Sequence, residues 1–238
     1  MEWPLEVTAL VPALAAAYAL AARRYPPSRA RVAAFAAAVA LIAAAFATRL
    51  EPLALHDFLW AHLLQNVVLA EWAPALLVLA LPPALPARAP RIHPLVALPL
   101  WLAVYFVWHL PWLYDLALRH PHSLLHLEHL TYLLAGCLAW WPVVWGDIST
   151  GAKAAYLFAA FVLASPLGLL LALLPRAIYE TYRDAAPTWG LSALADQQIA
   201  GVTMAAEQAV VFFAVFARFF LRFLGEEERK GVLDALPR

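Results

Sequence analysis

Seven apolar stretches constrain the fold of this chain more than any other feature. A membrane-spanning helix needs roughly 20 apolar residues, and seven segments of the 238-residue chain meet that requirement. They lie at about residues 4–22, 32–49, 58–81, 94–114, 124–145, 154–174 and 198–222. Hydrophobic residues make up 65% of the chain, more than one soluble core could bury. The sequence therefore predicts an all-α, polytopic membrane protein in which residues 1–238 form one seven-helix domain.

The connectors between these stretches are short, and the longest spans residues 175–197. Its aromatic residues Tyr179, Tyr182 and Trp189 suit the headgroup region of a membrane, so we expect it to form a partly ordered cap. No basic segment precedes the first apolar stretch, and we expect that stretch to act as the insertion signal. Net charge is zero, without a basic patch, so the partners predicted are membrane lipids and not nucleic acid.

The distribution of Lys and Arg predicts the orientation, because basic residues near helix ends are retained in the cytoplasm. With the N-terminus outside, twelve of the 16 basic residues fall in cytoplasmic segments. We therefore predict an outside N-terminus and a cytoplasmic C-terminus. Under this orientation, the polar ends of the third, fourth, fifth and seventh spans meet at the outer face.

Five of the eight histidines fall between residues 108 and 133, around the predicted hairpin joining the fourth and fifth spans. They are His109, His120, His122, His126 and His129. On a helix, the last three form one stripe, and imidazoles on adjacent turns reach a single metal ion. We expect His120 and His122 to be solvated in the loop. His126 and His129 lie deeper, where polar groups are usually functional, and we expect them to bind a metal.

Three further side chains could complete such a site, and these are His62, His109 and Met204. Imidazoles with a thioether suit copper in either oxidation state. In the alternative interpretation the two histidines form hydrogen bonds between helices and the methionine only packs. Four polar residues are expected to support the site: Gln65, Asp115, Asp196 and Gln197. The two aspartates would either fix an imidazole tautomer or cap helices.

Two carboxyl groups lie near the middle of predicted spans, Glu71 in the third and Glu207 in the seventh. They would serve either a proton relay or hydrogen bonding between helices. The single cysteine, Cys137, is expected to pack in the interior. A retinal protein is excluded, because its Schiff base needs a lysine inside the bundle and the only lysines, Lys153 and Lys230, lie at predicted cytoplasmic ends.

Four segments in sequence order resemble the seven-helix, CtaG-type cytochrome c oxidase assembly factors. They are HLLQNVVLAEWAPALLVLALPPAL at 62–85, WHLPWLYDLAL at 108–118, HLEHLTYLLAGCLAWWPVV at 126–144 and YETYRDAAPTWGLSALADQQIAGVTM at 179–204. The resemblance covers about residues 50–210. In the first motif, Asn66 replaces the second histidine of the family's His-x-x-Gln-His pattern. Met204 falls on the family's methionine position.

The resemblance implies a protein of the bacterial plasma membrane that is not an enzyme and helps to build haem-copper oxidases. Copper delivery to oxidase subunits, with a possible copper donor protein as a further partner, is the role it suggests. It carries over His62, His126 and His129 as ligands. Two alternatives remain open: a haem-binding redox subunit with axial ligands such as His62 and His129, or a metal-free structural chaperone.

Overall fold

The computed structural model describes residues 3–89, 91–185 and 189–234, which form helices and turns without a strand. The predicted all-α fold is therefore confirmed. Numbered in chain order, the helices of these residues are α1 Glu6–Arg24, α2 Arg29–Phe46, α3 Leu50–His56, α4 Leu59–Ala80, α5 Pro94–Trp108, α6 Pro111–Arg119, α7 Leu124–Val144, α8 Thr150–Leu173, α9 Glu180–Arg183 and α10 Ala193–Asp234. A 3₁₀ turn, Pro86–Arg88, lies between α4 and α5.

Five helices of the described chain are long and apolar enough to cross a membrane, namely α1, α2, α4, α8 and α10. The bent pair α5 and α6 would make a sixth. Helix α7 has 21 residues, but its first turns carry two histidines and a glutamate. Five or six spans are thus supported, whereas the seventh and the orientation stay predictions.

The predicted fourth span, 94–114, is not one straight helix. Helix α5 ends at Trp108, and α6 begins at Pro111 after a bend of 72°. A proline disfavours helical geometry in the residue before it, and Leu110 accordingly has extended dihedral angles. The bend leaves His109 at the break between the two helices, where its ring turns into the protein.

Helix α4 lies at the centre and packs against α2, α7 and α10. The most extensive contact between helices is that of α8 with α10, where Gly168 faces Gly201. A Cβ atom on Gly168 would lie 2.9 Å from the Gly201 carbonyl oxygen. Small residues let membrane helices approach closely, so this glycine pair sets the spacing of the two helices.

Two short π-helical turns interrupt the α-helical geometry. One, Glu6–Leu10, opens α1, and the other, Val68–Trp72, lies within α4. Such turns are rare and often occur at functional sites. Each of these two carries a buried carboxyl group, Glu6 in the first and Glu71 in the second.

Candidate metal site

Glu6, His126 and His129 converge on one point. The Nδ1 atoms of both histidines lie 2.7 Å from the same oxygen, Oε1 of Glu6. A carboxylate oxygen only accepts, so each imidazole donates a proton from Nδ1. In the part of the chain that the structure describes, this is the only group of three His, Cys, Asp or Glu residues whose ligand atoms all lie within 4.8 Å of one another. A metal ion that replaced the two Nδ1 protons could therefore be held by these three atoms.

The cluster lies at the wall of a cavity of about 1140 Å³. His126 and His129 line this cavity, together with His56, His122 and Glu51. The cavity gives a ligand a route to the cluster. His122, which we expected to be only solvated, thus faces the same space as the deeper histidines.

Glu51 forms a second acidic group at the cavity. Its Oε2 accepts a hydrogen bond of 2.6 Å from Gln65, which also donates to the Ala45 carbonyl oxygen at 2.9 Å. Burial raises the pKa of Glu51 to about 7, against the opposing effect of the Gln65 hydrogen bond. The Gln65 side chain therefore connects Glu51 to the backbone of Ala45 at the cavity wall, and these two hydrogen bonds do not orient a histidine.

Glu51 should make stability depend on pH. Its folded-state pKa of about 7 lies above the usual glutamate value of 4.5, so the folded protein holds this proton over a range where the unfolded chain has lost it. The contribution of this proton to the free energy of unfolding is fully present below the unfolded-state pKa. It is lost as the pH rises through the folded-state pKa. The thermal midpoint of the wild type, relative to Glu51→Gln, should fall as pH rises through this window. A constant difference would contradict the prediction.

His62 lies deeper and is held through one ring nitrogen. The Tyr182 hydroxyl donates to the Ala54 carbonyl oxygen and lies 2.9 Å from His62 Nδ1. Since its proton goes to Ala54, Tyr182 accepts the Nδ1 proton of His62. The Nε2 atom of His62 is buried without a hydrogen-bond partner and lies 3.8 Å from Glu128 Oε1.

His109 and His129 follow the same arrangement. His109 Nδ1 donates to the Tyr105 carbonyl oxygen at 2.7 Å, and the Nε2 atoms of both histidines are buried without a hydrogen-bond partner. The His62 and His129 ring centres lie 6.1 Å apart. Histidine ligands commonly donate one ring nitrogen to a fixed acceptor and present the other to a metal. These three rings therefore have the orientation of metal ligands, although their free nitrogens form no tight group.

Asn66 has a defined role in place of the histidine found in the family motif. Its side-chain nitrogen donates to Glu128 Oε1 at 2.9 Å. Glu128 of α7 is fully buried, and its Oε1 also lies 3.8 Å from His62 Nε2. Asn66 thus positions a carboxyl group beside His62.

The two aspartates accept hydrogen bonds from backbone N–H groups, as a residue that caps a helix does. Asp196 accepts from the backbone N–H groups of Leu59 at 2.7 Å and Trp60 at 3.2 Å, and so caps the helix that carries His62. Asp115 accepts from the backbone of Glu180 and Thr181 and caps α9.

Gln197 also binds backbone. It accepts from the N–H of Ile178 at 2.8 Å and donates to the carbonyl oxygens of Leu171 and Arg176. With Asp115 it fastens the connector between α8 and α10. The segment 175–197, which we expected to form a cap, is therefore held by hydrogen bonds to both α6 and α10. Within this segment, residues 186–188 lie outside the described ranges.

Replacing Asp196 with alanine should destabilise the protein. Two buried N–H groups at the start of α4 would lose a charged acceptor, at a cost of about 1–3 kcal/mol. The expected result is a lower thermal midpoint. The exposed Asp184 offers the control: Asp184→Ala should leave the midpoint unchanged, and equal midpoints for the two variants would contradict the capping role.

Met204 and Cys137 belong to the packing of the interior. Met204 is 1% exposed within the hydrophobic core, and Cys137 packs against that core.

The histidines come from α4, α7 and the α5–α6 break, so the structure brings His62, His109 and His129 into one region. His126 turns towards Glu6.

Three carboxyl groups of this region were missed from sequence: Glu6, Glu51 and Glu128. Glu6 lies at the start of the first apolar stretch, where we predicted no site residue. A signal was available, since an acidic residue that opens an apolar stretch needs a partner inside the protein. Glu128 lies between two histidines in sequence and could have been found in the same way.

A family model described as cytochrome c oxidase caa3 assembly factor (Caa3_CtaG) matches residues 14–226, most of the chain. The chain belongs to this family. The resemblance seen in the sequence is thus confirmed, and membership fits a membrane protein without a catalytic role. Glu6 lies before the matched range, whereas His62, His126 and His129 lie within it. No curated protein and no solved structure matches the chain.

Proposed function

We propose that this chain assists assembly of a haem-copper cytochrome c oxidase by binding copper at Glu6, His126 and His129 and passing it to an oxidase subunit. The observation that carries the proposal is the convergence of three ligand atoms at the wall of an open cavity. Membership of the oxidase assembly family supplies the client.

The donor set favours copper on chemical grounds. Imidazole suits copper, zinc, iron and nickel, and among divalent first-row metals affinity peaks at copper. One carboxylate and two imidazoles contain no sulfur, so they favour the divalent ion over the soft cuprous ion. The Met204 thioether, packed in the core, is not needed for this site.

The three-ligand site suits the transfer of a copper ion better than its permanent storage. A metal bound by three side chains keeps an open coordination position, and the cavity gives a partner access to it. A copper donor protein and the oxidase subunit would use the same opening in turn. We propose that this opening lies at the outer face of the bacterial plasma membrane, in keeping with the positive-inside orientation.

The geometry favours copper binding over the two alternatives. A haem iron held by His62 would need the space next to His62 Nε2, and the carboxyl group of Glu128 lies 3.8 Å from that atom. A structural chaperone would not require two histidines to share one carboxylate oxygen beside a cavity.

Elemental analysis and oxidase assembly test the proposal together. Purified protein should retain about one copper ion per chain after loading and desalting, since the site supplies one set of ligands. In cells that lack the native gene, the wild-type chain should restore the copper content and optical spectrum of the oxidase, while Glu6→Gln should not. Glu228→Gln, an exposed carboxyl, is the control. Normal oxidase copper with Glu6→Gln would refute the proposed site.

A further inference from the structure

A second buried group of carboxyls lies within the helix bundle, away from the candidate metal site. Glu71 of α4 is fully buried. Hydrogen bonds from neighbouring residues bring it close to Glu207 of α10: Gln208, which follows Glu207, donates to Glu71, and Trp72, which follows Glu71, donates to Glu207. Glu71 follows His62 by nine residues on the same helix, which places it roughly 13 Å further along the helix axis. The two glutamates therefore form a centre of their own.

The partners of the two carboxyls are neutral. Gln208 donates from Nε2 to Glu71 Oε1 at 3.1 Å and to the Tyr105 hydroxyl at 2.8 Å. Trp72 donates from Nε1 to Glu207 Oε2 at 2.7 Å. The titratable groups around this centre are the two glutamates, which interact with each other, and Tyr105, which interacts with both. Tyr179 in turn interacts with Tyr105. Within the described residues, neither carboxyl forms an ion pair with Lys, Arg or His.

Three oxygens of this centre remain buried without a hydrogen-bond partner: Glu71 Oε2, Glu207 Oε1 and Gln208 Oε1. Gln208 is itself fully buried. Buried polar atoms are nearly always paired, so unpaired acceptors at one centre indicate that a positively charged or proton-donating ligand belongs there.

Charge decides the nature of this ligand. Two ionised carboxylates in contact, without a cation, are strongly disfavoured in an apolar interior, and paired carboxyls relieve the repulsion by sharing a proton. Ionised carboxylate oxygens only accept hydrogen bonds, so a proton on one of the two carboxyls would supply a donor for oxygens that now have no partner. The π-turn Val68–Trp72 carries Glu71, and such turns are common at functional sites.

We propose that Glu71 and Glu207 form a proton-binding site that holds one proton between the two carboxyls, with Gln208, Trp72 and Tyr105 positioning them. The site is independent of the copper proposal, because its residues contact none of the copper ligands. Ionisable groups inside membrane spans commonly mark proton pathways, and this centre provides one exchangeable proton in the middle of the bundle.

Infrared spectroscopy of the metal-free, full-length protein tests the site. The C=O stretch of a protonated carboxyl is separate from the bands of ionised carboxylates. The wild type at neutral pH should show this band, and Glu71→Gln together with Glu207→Gln should lower its intensity, leaving the contribution of other protonated carboxyls such as Glu51. A band of unchanged intensity in the double variant would contradict the proposal. Glu226→Gln, a control at the end of α10, should leave the band unchanged. A wild-type spectrum without any protonated carboxyl at neutral pH would overturn the proposal, whether or not the double variant folds.

Labelling with an apolar carbodiimide, which reacts with protonated carboxyls, separates a proton from a metal cation. We expect one adduct at either Glu71 or Glu207, located by mass spectrometry and unaffected by sodium or potassium chloride. Loss of the adduct in the presence of either salt would show that the site takes an alkali cation and would overturn the proton assignment. The metal content of the copper-loaded protein should be the same in Glu207→Gln as in the wild type.

Discussion

Replacing His126 and His129 together with alanine is expected to abolish copper binding. The change removes two of the three converging ligand atoms and leaves Glu6 without either hydrogen-bond donor. A lone carboxylate holds copper far more weakly than a three-ligand site, so the copper retained after desalting should fall from about one ion per chain to almost none. Elemental analysis of the purified protein measures the result directly.

His120→Ala provides the matched control for this experiment. His120 is also an imidazole of the loop before α7, but it is exposed and does not line the cavity. Its replacement should leave copper binding unchanged. Copper retained at wild-type stoichiometry in the double variant would show that Glu6, His126 and His129 do not form the copper site.

Replacing Gly136 with valine is expected to disrupt the packing of α7 on α4. A Cβ atom at this position would lie 2.6 Å from the Cγ atom of Pro74 and closer still to the Ala70 carbonyl oxygen. Neither neighbour is the end of a flexible side chain, so the helices must separate. Overpacking of this kind costs about 1–3 kcal/mol or more. Thermal unfolding in detergent should show a clearly lower midpoint.

Gly225 offers a control on helix α10 with the opposite expectation. No atom lies within 4 Å of the position that its Cβ would occupy. Alanine there should leave the midpoint unchanged or raise it slightly, because glycine is a poor helix former. A Gly136→Val protein as stable as Gly225→Ala would mean that α7 and α4 are not in close contact.

Hydropathy predicted most helices of the fold because membrane spans leave a long, simple pattern. The stretches at 4–22, 32–49, 58–81 and 154–174 all lie on observed helices. The bend after Trp108 was not predicted, although Pro111 marks it. Proline alone is a weak signal in this chain, since Pro99, Pro142 and Pro166 all lie within helices.

The candidate site was only half visible in the sequence. Histidine spacing identified His126 and His129, because both lie on one helix and local periodicity brings them together. Their acceptor Glu6 is 120 residues away from His126, and no local pattern reveals a contact over that separation. The same limit applies to Asp196, whose capping of α4 depends on how α10 packs.

The π-turn Val68–Trp72 also bears on how this helix tolerates insertion and deletion. A π-turn accommodates one residue more than an α-helical turn, so a chain shortened by one residue within it could continue as a regular helix. His62 and Pro74, on either side of the turn, would then still point towards the same neighbouring helices. The Glu71 side chain would no longer point into the bundle. A single-residue deletion could thus separate the function of the carboxyl centre from the integrity of the helix.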